Sequence, residues 1–268
     1  MRIKYSDPQA QYGTARNLLN RELAWDRYGV GAGKYGIDFI HFEGDELVLD
    51  AGSGTGRDVA IITQRLNKGG KVFAVDISQA LLSITCQRAC NTISTPLCAI
   101  ASIENLPFGD DQFDVVVAKH VLNHVDDLEH GLRESLRVVR KKGKVIITTG
   151  VKTPDDDLLR VCHQEAISRV GIETNVRLSR SPFHCGNARE YLDNLFGDVR
   201  YHFYGFQMVF PDVDSFMLYY TTLPSFQEAT SDAATKSALA AEMRNLLSSR
   251  ELPIVLDRSR GTFVCTKT

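Results

Sequence analysis

The most informative stretch of this chain is Leu47-Val48-Leu49-Asp50-Ala51-Gly52-Ser53-Gly54-Thr55-Gly56-Arg57. A short apolar run ends in an acid, and alternating glycines then lead into a helical segment at residues 58–66. Glycine lets a backbone turn sharply and approach a ligand closely, which a Cβ atom would prevent. The stretch therefore predicts a strand, a ligand-binding turn and a helix.

The spacing of the glycines excludes two well-known loops. A dinucleotide-binding fingerprint has its third glycine three residues after the second, where this chain has Arg57. A phosphate-binding loop has Gly-Lys followed by Ser or Thr, and no such triplet follows Gly56. An acid followed by G-x-G-x-G suits instead a ligand with an amino-acid moiety and a nucleoside but no phosphate.

Three further motifs follow in order. The apolar run 71–76 ends in Asp76, and an acid at this place in doubly wound folds binds the ribose hydroxyls. The segment 104–108 and an acidic pair come next, and Phe113-Asp114 then opens another apolar run. Any one of these motifs alone would be weak, but four in order at suitable spacings are specific.

This ordered set resembles the class I (Rossmann-like) S-adenosylmethionine-dependent methyltransferases, particularly the small-molecule, UbiE/Coq5-like branch. The resemblance covers residues 47 to about 149. It implies S-adenosyl-L-methionine as cofactor, S-adenosyl-L-homocysteine as product, and no metal. The fold that it implies is α/β, with a doubly wound, mostly parallel seven-stranded sheet, an antiparallel last strand and helical cap elements.

We expect one structural domain with three parts. Residues 1–46 form an N-terminal helical cover segment, residues 47–150 the cofactor-binding core, and residues 151–268 complete the sheet and carry inserted substrate-cover helices. Alternation of apolar runs with amphipathic segments predicts strands and helices in turn. The predicted strands are 47–50, 71–76, 97–100, 113–119, 144–149, 199–210 and 261–266. The predicted helices are 14–28, 35–41, 58–66, 78–91, 128–139, 153–170, 188–196, 213–223 and 231–249.

Two local predictions concern turns. Lys141-Lys142-Gly143 is expected to cap the helix that precedes it, because lysines suit the negative end of a helix dipole. Pro154 is expected in the first turn of the next helix. The aromatic residues of the 199–210 strand suit either an apolar substrate pocket or the core of the sheet, and the pattern favours neither.

The resemblance implies which residues bind the cofactor. The loop approaches the methionine part, the acid after the second strand binds the ribose, and the segment after the third strand meets the adenine. The residues implied are Asp50, Ala51, Gly52, Gly54, Asp76, Ile77, Ser102, Ile103 and Lys119. Ser102 stands where relatives usually carry an aspartate, and its neutral hydroxyl would contribute a weaker hydrogen bond to the adenine amino group.

His120 and His124 are the candidate catalytic residues, because they follow the fourth strand at the edge where ligands bind in open α/β sheets. They would share a face if the segment were helical. Either imidazole could act as a general base, since histidine titrates near pH 6.5 when unperturbed. A structural packing role is the alternative, above all for His124.

Composition narrows the partners. The net charge of −2 gives no basic field for nucleic acid. The six cysteines form no C-x-x-C pair, and the N-terminus has no apolar signal region, which together predict a cytoplasmic protein. We expect a small-molecule substrate and neither nucleic acid nor membrane, and a homodimer stays open.

The predicted activity is methyl transfer to a small, fairly apolar or aromatic metabolite, typical of secondary metabolism. An oxygen, nitrogen or carbon acceptor fits the motifs equally. Two alternatives stay open: a non-catalytic cofactor-binding subunit that supports a partner enzyme, and a methyltransferase acting on RNA or protein.

Overall fold

The computed structural model describes residues 15–31, 36–89, 95–152, 154–172 and 182–268. Within them, eight strands form one sheet in the order β1-β7-β8-β6-β5-β2-β3-β4. The strands are β1 Gly29–Val30, β2 Leu47–Ala51, β3 Lys71–Asp76, β4 Leu97–Ile100, β5 Phe113–Lys119, β6 Val139–Gly150, β7 Asp198–Phe210 and β8 Ile254–Thr266. The five strands from β2 to β6 run parallel to one another, and β8 is antiparallel to both β6 and β7.

The predicted fold class is confirmed: seven strands, mostly parallel, with the last one antiparallel. The short β1, which pairs with the outer edge of β7, was not predicted. The described helices are α1 Arg16–Tyr28, a 3-10 helix Gly36–Phe39, α2 Arg57–Arg65, α3 Gln79–Ala89, α4 Leu128–Val138, α5 Leu158–Val170, α6 Ala188–Leu192, α7 Val213–Tyr220, α8 Pro224–Gln227 and α9 Ala233–Ser248. No described helix combines the length and apolar character that crossing a bilayer requires.

Helices cover both faces of the parallel part of the sheet. Side chains alternate along a strand, so Leu49 of β2 packs in the cluster that contains Leu132 of α4. Its neighbour Val48 packs on the opposite face, with Ile62 of α2. A further apolar cluster packs α1, α5, α7 and α9 against β7 and β8. The inserted helices therefore stand over the antiparallel edge of the sheet.

The predicted cap at Lys141-Lys142-Gly143 is wrong. Helix α4 ends at Val138, and these residues lie in β6, where the register against β5 shifts. Lys142 has a φ of 63°, and a Cβ atom on Gly143 would come within 2.8 Å of the Asp114 carbonyl oxygen. A sharp bend of the strand, with backbone packed closely on β5, explains why glycine stands there.

Two boundaries also differ from prediction. Helix α5 begins at Leu158, where the Asp157 carboxylate accepts a hydrogen bond from the backbone N–H of Arg160, so Pro154 precedes the helix. Strand β8 begins at Ile254, seven residues before the predicted start at residue 261. Its pairing with β7 stays in register from Phe210↔Ile254 to Asp198↔Thr266, so cross-strand pairing holds the whole segment.

Candidate functional site

A cavity of about 560 Å³ lies at the carboxyl edge of the parallel strands, where β2, β3 and β5 end. Its floor is the glycine loop after β2 together with the turn after β3. Helix α1 covers one side, and residues of β7, β8 and α8 close the other. This is the edge at which open α/β sheets bind ligands, because the loops after neighbouring strands diverge there.

The glycine loop has a left-handed backbone at alternate positions. The φ angles of Gly52, Gly54 and Gly56 are 87°, 57° and 76°. A Cβ atom on Gly52 would lie 2.6 Å from the Val121 side chain, and one on Gly56 would lie 2.8 Å from the Cα atom of Thr85. Two of the three glycines are thus required by contacts within the protein as well as by conformation.

Asp76, at the end of β3, orders this loop. One carboxylate oxygen accepts the backbone N–H of Gly54 at 2.9 Å, and the other accepts that of Ser78 at 2.9 Å. Burial raises the pKa of Asp76 despite these hydrogen bonds, which favour the charged form. A carboxylate has about four lone-pair positions, so each oxygen keeps capacity for a ligand hydroxyl.

Asp50 belongs to a buried charged group at the end of β2. Lys119 Nζ lies 2.9 Å from Asp58 Oδ1, and both side chains are largely buried. Burial, reinforced by the Asp58 carboxylate, raises the pKa of Asp50 well above its usual range, while Lys119 opposes the shift. A ligand cation beside Asp50 would stabilise its ionised form, because an opposite charge at short range lowers a carboxyl pKa.

Ionic contacts tie helix α1 to the loop. The Thr55 hydroxyl donates a hydrogen bond to Glu22, whose carboxylate also pairs with Arg88 at 3.3 Å. One turn later, Asp26 pairs with Arg57 at 2.6 Å. Because these contacts hold α1 over the loop, a ligand in the cavity would be screened from solvent on that side.

His120 and His124 both line the cavity, but on a turn and not on a helix. His120 has a φ of 55°, and its backbone N–H donates to Thr148 O at 2.8 Å. Its ring Nε2 is buried and has no hydrogen-bond partner within the described residues. Burial, together with Arg260, lowers the pKa of His120 well below 6.5, and burial with Arg21 lowers that of His124 to about 4. Both rings are therefore neutral at pH 7.

The opposite wall is aromatic and cationic. The guanidinium of Arg260 lies 3.7 Å from the ring centre of Trp25 and 5.3 Å from that of Phe206. Tyr204 lines the same wall, whereas Phe210, further along β7, is buried in the core. The aromatic residues of this strand are therefore divided between the cavity lining and the apolar core. A planar apolar group would find ring faces here, and a negative charge would find cations.

The structure brings most of the predicted site residues to one cavity. Those that line it are Asp50, Gly52, Gly54, Asp76, Ile77, Lys119, His120 and His124. Three predicted residues do not line it: Ala51 and Ile103 are buried in the apolar core, and Ser102 is half-buried with its hydroxyl accepting the N–H of Glu104 at 3.1 Å. The roles assigned to all of these residues stay predictions.

Among the residues of the cavity wall that sequence reasoning missed are Arg21, Trp25 and Arg260. The predicted final strand leaves out residues 254–260, although Ile254-Val255-Leu256 is an apolar, partly β-branched run, which favours a strand. In the structure Ile254 and Leu256 are buried while Val255 and Asp257 are exposed, as expected along a strand. No local signal marked Arg21, because only the docking of α1 gives it a place in the site.

Residues 49–147 match the family model described as a methyltransferase domain. This part of the chain is similar to a methyltransferase domain. The resemblance inferred from the acid–glycine loop and the motifs after it is confirmed, and the matched residues include the part of the cavity lining from Asp50 to His124.

Curated relatives match this domain and some flanking sequence. A malonyl-[acyl-carrier protein] O-methyltransferase from Halorhodospira halophila is 36% identical over 102 residues, covering 38% of this chain and 34% of the relative. A demethylmenaquinone methyltransferase from Thermobifida fusca is 34% identical over 134 residues, covering 49% of this chain and 54% of the relative. The chain thus spans about a third of the first relative and about half of the second.

Solved structures share the fold beyond the methyltransferase domain. The YcgJ protein from Bacillus subtilis superposes with a TM-score of 0.55 at 12% identity, covering 94% of this chain and 99% of that one. A Haemonchus contortus phosphoethanolamine N-methyltransferase 2, in complex with phosphomonomethylethanolamine and S-adenosylhomocysteine, gives 0.54 at 16% identity, covering 97% of this chain and 58% of that one. At these identities the likeness concerns the fold alone.

Proposed function

We propose that this chain transfers the methyl group of S-adenosylmethionine to a small, fairly apolar or aromatic metabolite. The observation that carries the proposal is one continuous cavity. It joins the acid–glycine loop at one end to an aromatic wall at the other, with a neutral histidine, His120, on its lining. The match of residues 49–147 to a methyltransferase domain supports it.

The residues at the loop end fit the cofactor. The free lone pairs of Asp76 suit the two ribose hydroxyls, and Asp50, whose pKa burial raises, suits a cationic ammonium group. At Gly54, where the nearest atom to a Cβ would be 3.7 Å away, the backbone leaves room for close approach of the amino-acid part. When bound, the cofactor supplies an activated methyl group on a sulfonium, so the protein needs no metal for that step.

The protein itself must then hold the acceptor and exclude water. Methyl transfer is an in-line displacement, and positioning of two reactants can supply roughly 7–11 kcal/mol of the barrier. The Trp25 and Phe206 rings lie in the cavity lining, where an aromatic acceptor can contact them. His120 Nε2 is buried and, within the described residues, without a partner, so a neutral ring there can accept the proton of an acceptor hydroxyl or amine.

The relatives give no single acceptor atom. One is named as an O-methyltransferase and a solved structure as an N-methyltransferase, and the acceptors in these names differ in size and charge. We therefore assign methyl transfer without assigning the acceptor atom, and the test includes oxygen, nitrogen and carbon acceptors.

Calorimetry with S-adenosylhomocysteine tests cofactor binding directly. We expect binding to the wild type, and Asp76→Ala should weaken it by roughly 1.5–3 kcal/mol, the scale of hydrogen bonds to a charged group. Asp45→Ala, which removes an exposed carboxylate away from the cavity, is the matched control and should bind as the wild type. Absence of binding at millimolar ligand would refute the proposal, and wild-type affinity in Asp76→Ala would refute the ribose assignment alone.

Transfer is tested with methyl-labelled S-adenosylmethionine and a panel of phenols, hydroquinones, aromatic acids and amines. Label should move to at least one acceptor, and mass spectrometry of the product identifies the methylated atom. Binding of the cofactor with no transfer to any member, together with a stable partner protein in pull-downs, would instead support the non-catalytic subunit.

A further inference from the structure

The charges that line the cavity are separated along its length. Three of its acids form ion pairs with basic residues: Glu22 with Arg88, Asp26 with Arg57, and Asp58 with Lys119. The two other acids in the lining, Asp50 and Asp76, lie at the glycine loop. The loop end of the cavity is therefore negative, which suits a cofactor that carries an ammonium and a sulfonium group.

Two cations lie beside the histidines. Arg21 and Arg260 line the cavity near the neutral rings of His124 and His120. Arg21 acts on His124 and Arg260 acts on His120, since each guanidinium disfavours the protonated form of the ring that it faces. An acceptor that binds between the methyl group and this wall therefore lies in a positive field.

Arg21 is a cation of the cavity lining whose hydrogen bonding is incomplete within the described residues. One Nη donates to the carbonyl oxygen of Thr222 at 2.6 Å, and the Nε is buried without an acceptor among the described residues. The two acids nearest to it along α1, Glu22 and Asp26, pair with other arginines. A buried guanidinium N–H left unbonded costs free energy that an anionic ligand would recover.

We propose that the acceptor is an aromatic acid, whose carboxylate pairs with Arg21 while its ring packs against Trp25 and Phe206. This inference rests on the proposed function and adds to it the charge of the acceptor. Arg21 is then a specificity-determining residue: it selects an ionised acid over a neutral aromatic of the same shape, because a carboxylate accepts a stronger, charge-assisted hydrogen bond from the guanidinium than a neutral oxygen does.

The test compares two probes of the same shape, 2-naphthoate and 2-naphthamide, on protein saturated with S-adenosylhomocysteine. Calorimetry gives the affinities, and quenching of Trp25, the one tryptophan in the sequence, reports binding at this wall. We expect the wild type to bind the carboxylate about tenfold or more tightly than the amide, the scale of one charged hydrogen bond. Arg21→Gln should remove that preference, because it weakens binding of the carboxylate and leaves binding of the amide unchanged.

Two further variants separate charge from folding. Arg21→Lys keeps the cation and should keep part of the preference for the carboxylate. Arg16→Gln removes an exposed arginine from the same helix, outside the cavity lining, and should bind both probes as the wild type does. Circular dichroism and thermal unfolding of each variant show that α1 stays folded.

The outcomes distinguish this inference from the proposed function. Failure of S-adenosylhomocysteine to bind refutes the proposed function itself. Bound S-adenosylhomocysteine with equal affinity for both probes, or with no carboxylate binding at millimolar concentration, overturns the aromatic acid alone. If Arg21→Gln loses affinity for S-adenosylhomocysteine and keeps the selectivity between probes, Arg21 binds the cofactor's own carboxylate, and the inference is also overturned.

Discussion

The two ends of the cavity are built in different ways. The loop wall, formed by the glycine loop after β2 and the turn after β3, follows two adjacent strands, and backbone groups and carboxylates dominate it. The acceptor wall, formed by Arg21, Trp25, Phe206 and Arg260, comes from a helix and two strands far apart in the chain. Side chains supply nearly all of its chemistry.

This difference separates what the fold requires from what the substrate requires. In the loop wall, the glycines pack on Val121 and Thr85, so a change there disturbs the fold and the ligand site together. In the acceptor wall, the stacked Trp25 and Arg260 lie on the surface of the cavity, where a different side chain would alter recognition and leave the sheet intact. We therefore expect variants of the two walls to fail in different ways.

The largest expected effect is on the acceptor side. If His120 is a general base, His120→Ala should lower turnover with the acceptor found in the labelling screen by about a hundredfold or more, with cofactor affinity nearly unchanged. Because the pKa of His120 lies well below 6.5, the ring is neutral from pH 6.5 to 8 and the wild-type rate should be flat there. The rate should fall only in more acidic solution, where the ring takes up a proton.

His130→Ala is the matched control, because this histidine is exposed on α4 and does not line the cavity. Its turnover should equal that of the wild type. A His120→Ala enzyme with near-normal turnover and an unchanged pH profile would show that positioning alone drives the reaction. A raised acceptor KM at constant kcat would assign His120 to shaping the pocket.

The next effect, on stability, belongs to the loop wall and compares two of its glycines. Gly54→Ala and Gly56→Ala both place a Cβ atom on a left-handed backbone, at about 1–2 kcal/mol each. Only Gly56→Ala also forces that atom against the Cα atom of Thr85 at 2.8 Å, since the nearest atom to a Cβ on Gly54 is 3.7 Å away. Overpacking should therefore make Gly56→Ala less stable than Gly54→Ala by about 1–3 kcal/mol.

Urea unfolding of both variants measures this difference as a shift in midpoint at constant slope. Equal losses of stability in the two variants would mean that α3 moves away from the loop without a cost in free energy. A greater loss in Gly54→Ala would show that its contact with Leu18 of α1 matters more than the packing on α3.

The same difference between the two walls explains which residues of the site could be predicted from the sequence. Asp50 and Asp76 were found from sequence because each follows an apolar run directly, and the parallel sheet then brings the two strand ends together. Arg260 was missed because its strand was predicted too short, and Arg21 because its position depends on how α1 docks. No sequence signal marked the left-handed backbone of His120, whose N–H donates to the carbonyl oxygen of Thr148 in β6.

The smallest expected effect concerns Ser102, where the chain departs from the pattern of the family it resembles. Its hydroxyl accepts the N–H of Glu104, and a carboxylate can accept the same bond, so Ser102→Asp should keep the turn. If the adenine amino group binds there, the added charge should leave S-adenosylhomocysteine affinity unchanged or tighten it by less than about tenfold. Ser102→Ala, which removes the acceptor, is the control and should bind slightly more weakly. Marked loss of affinity in a folded Ser102→Asp protein would show that this position faces something other than the adenine.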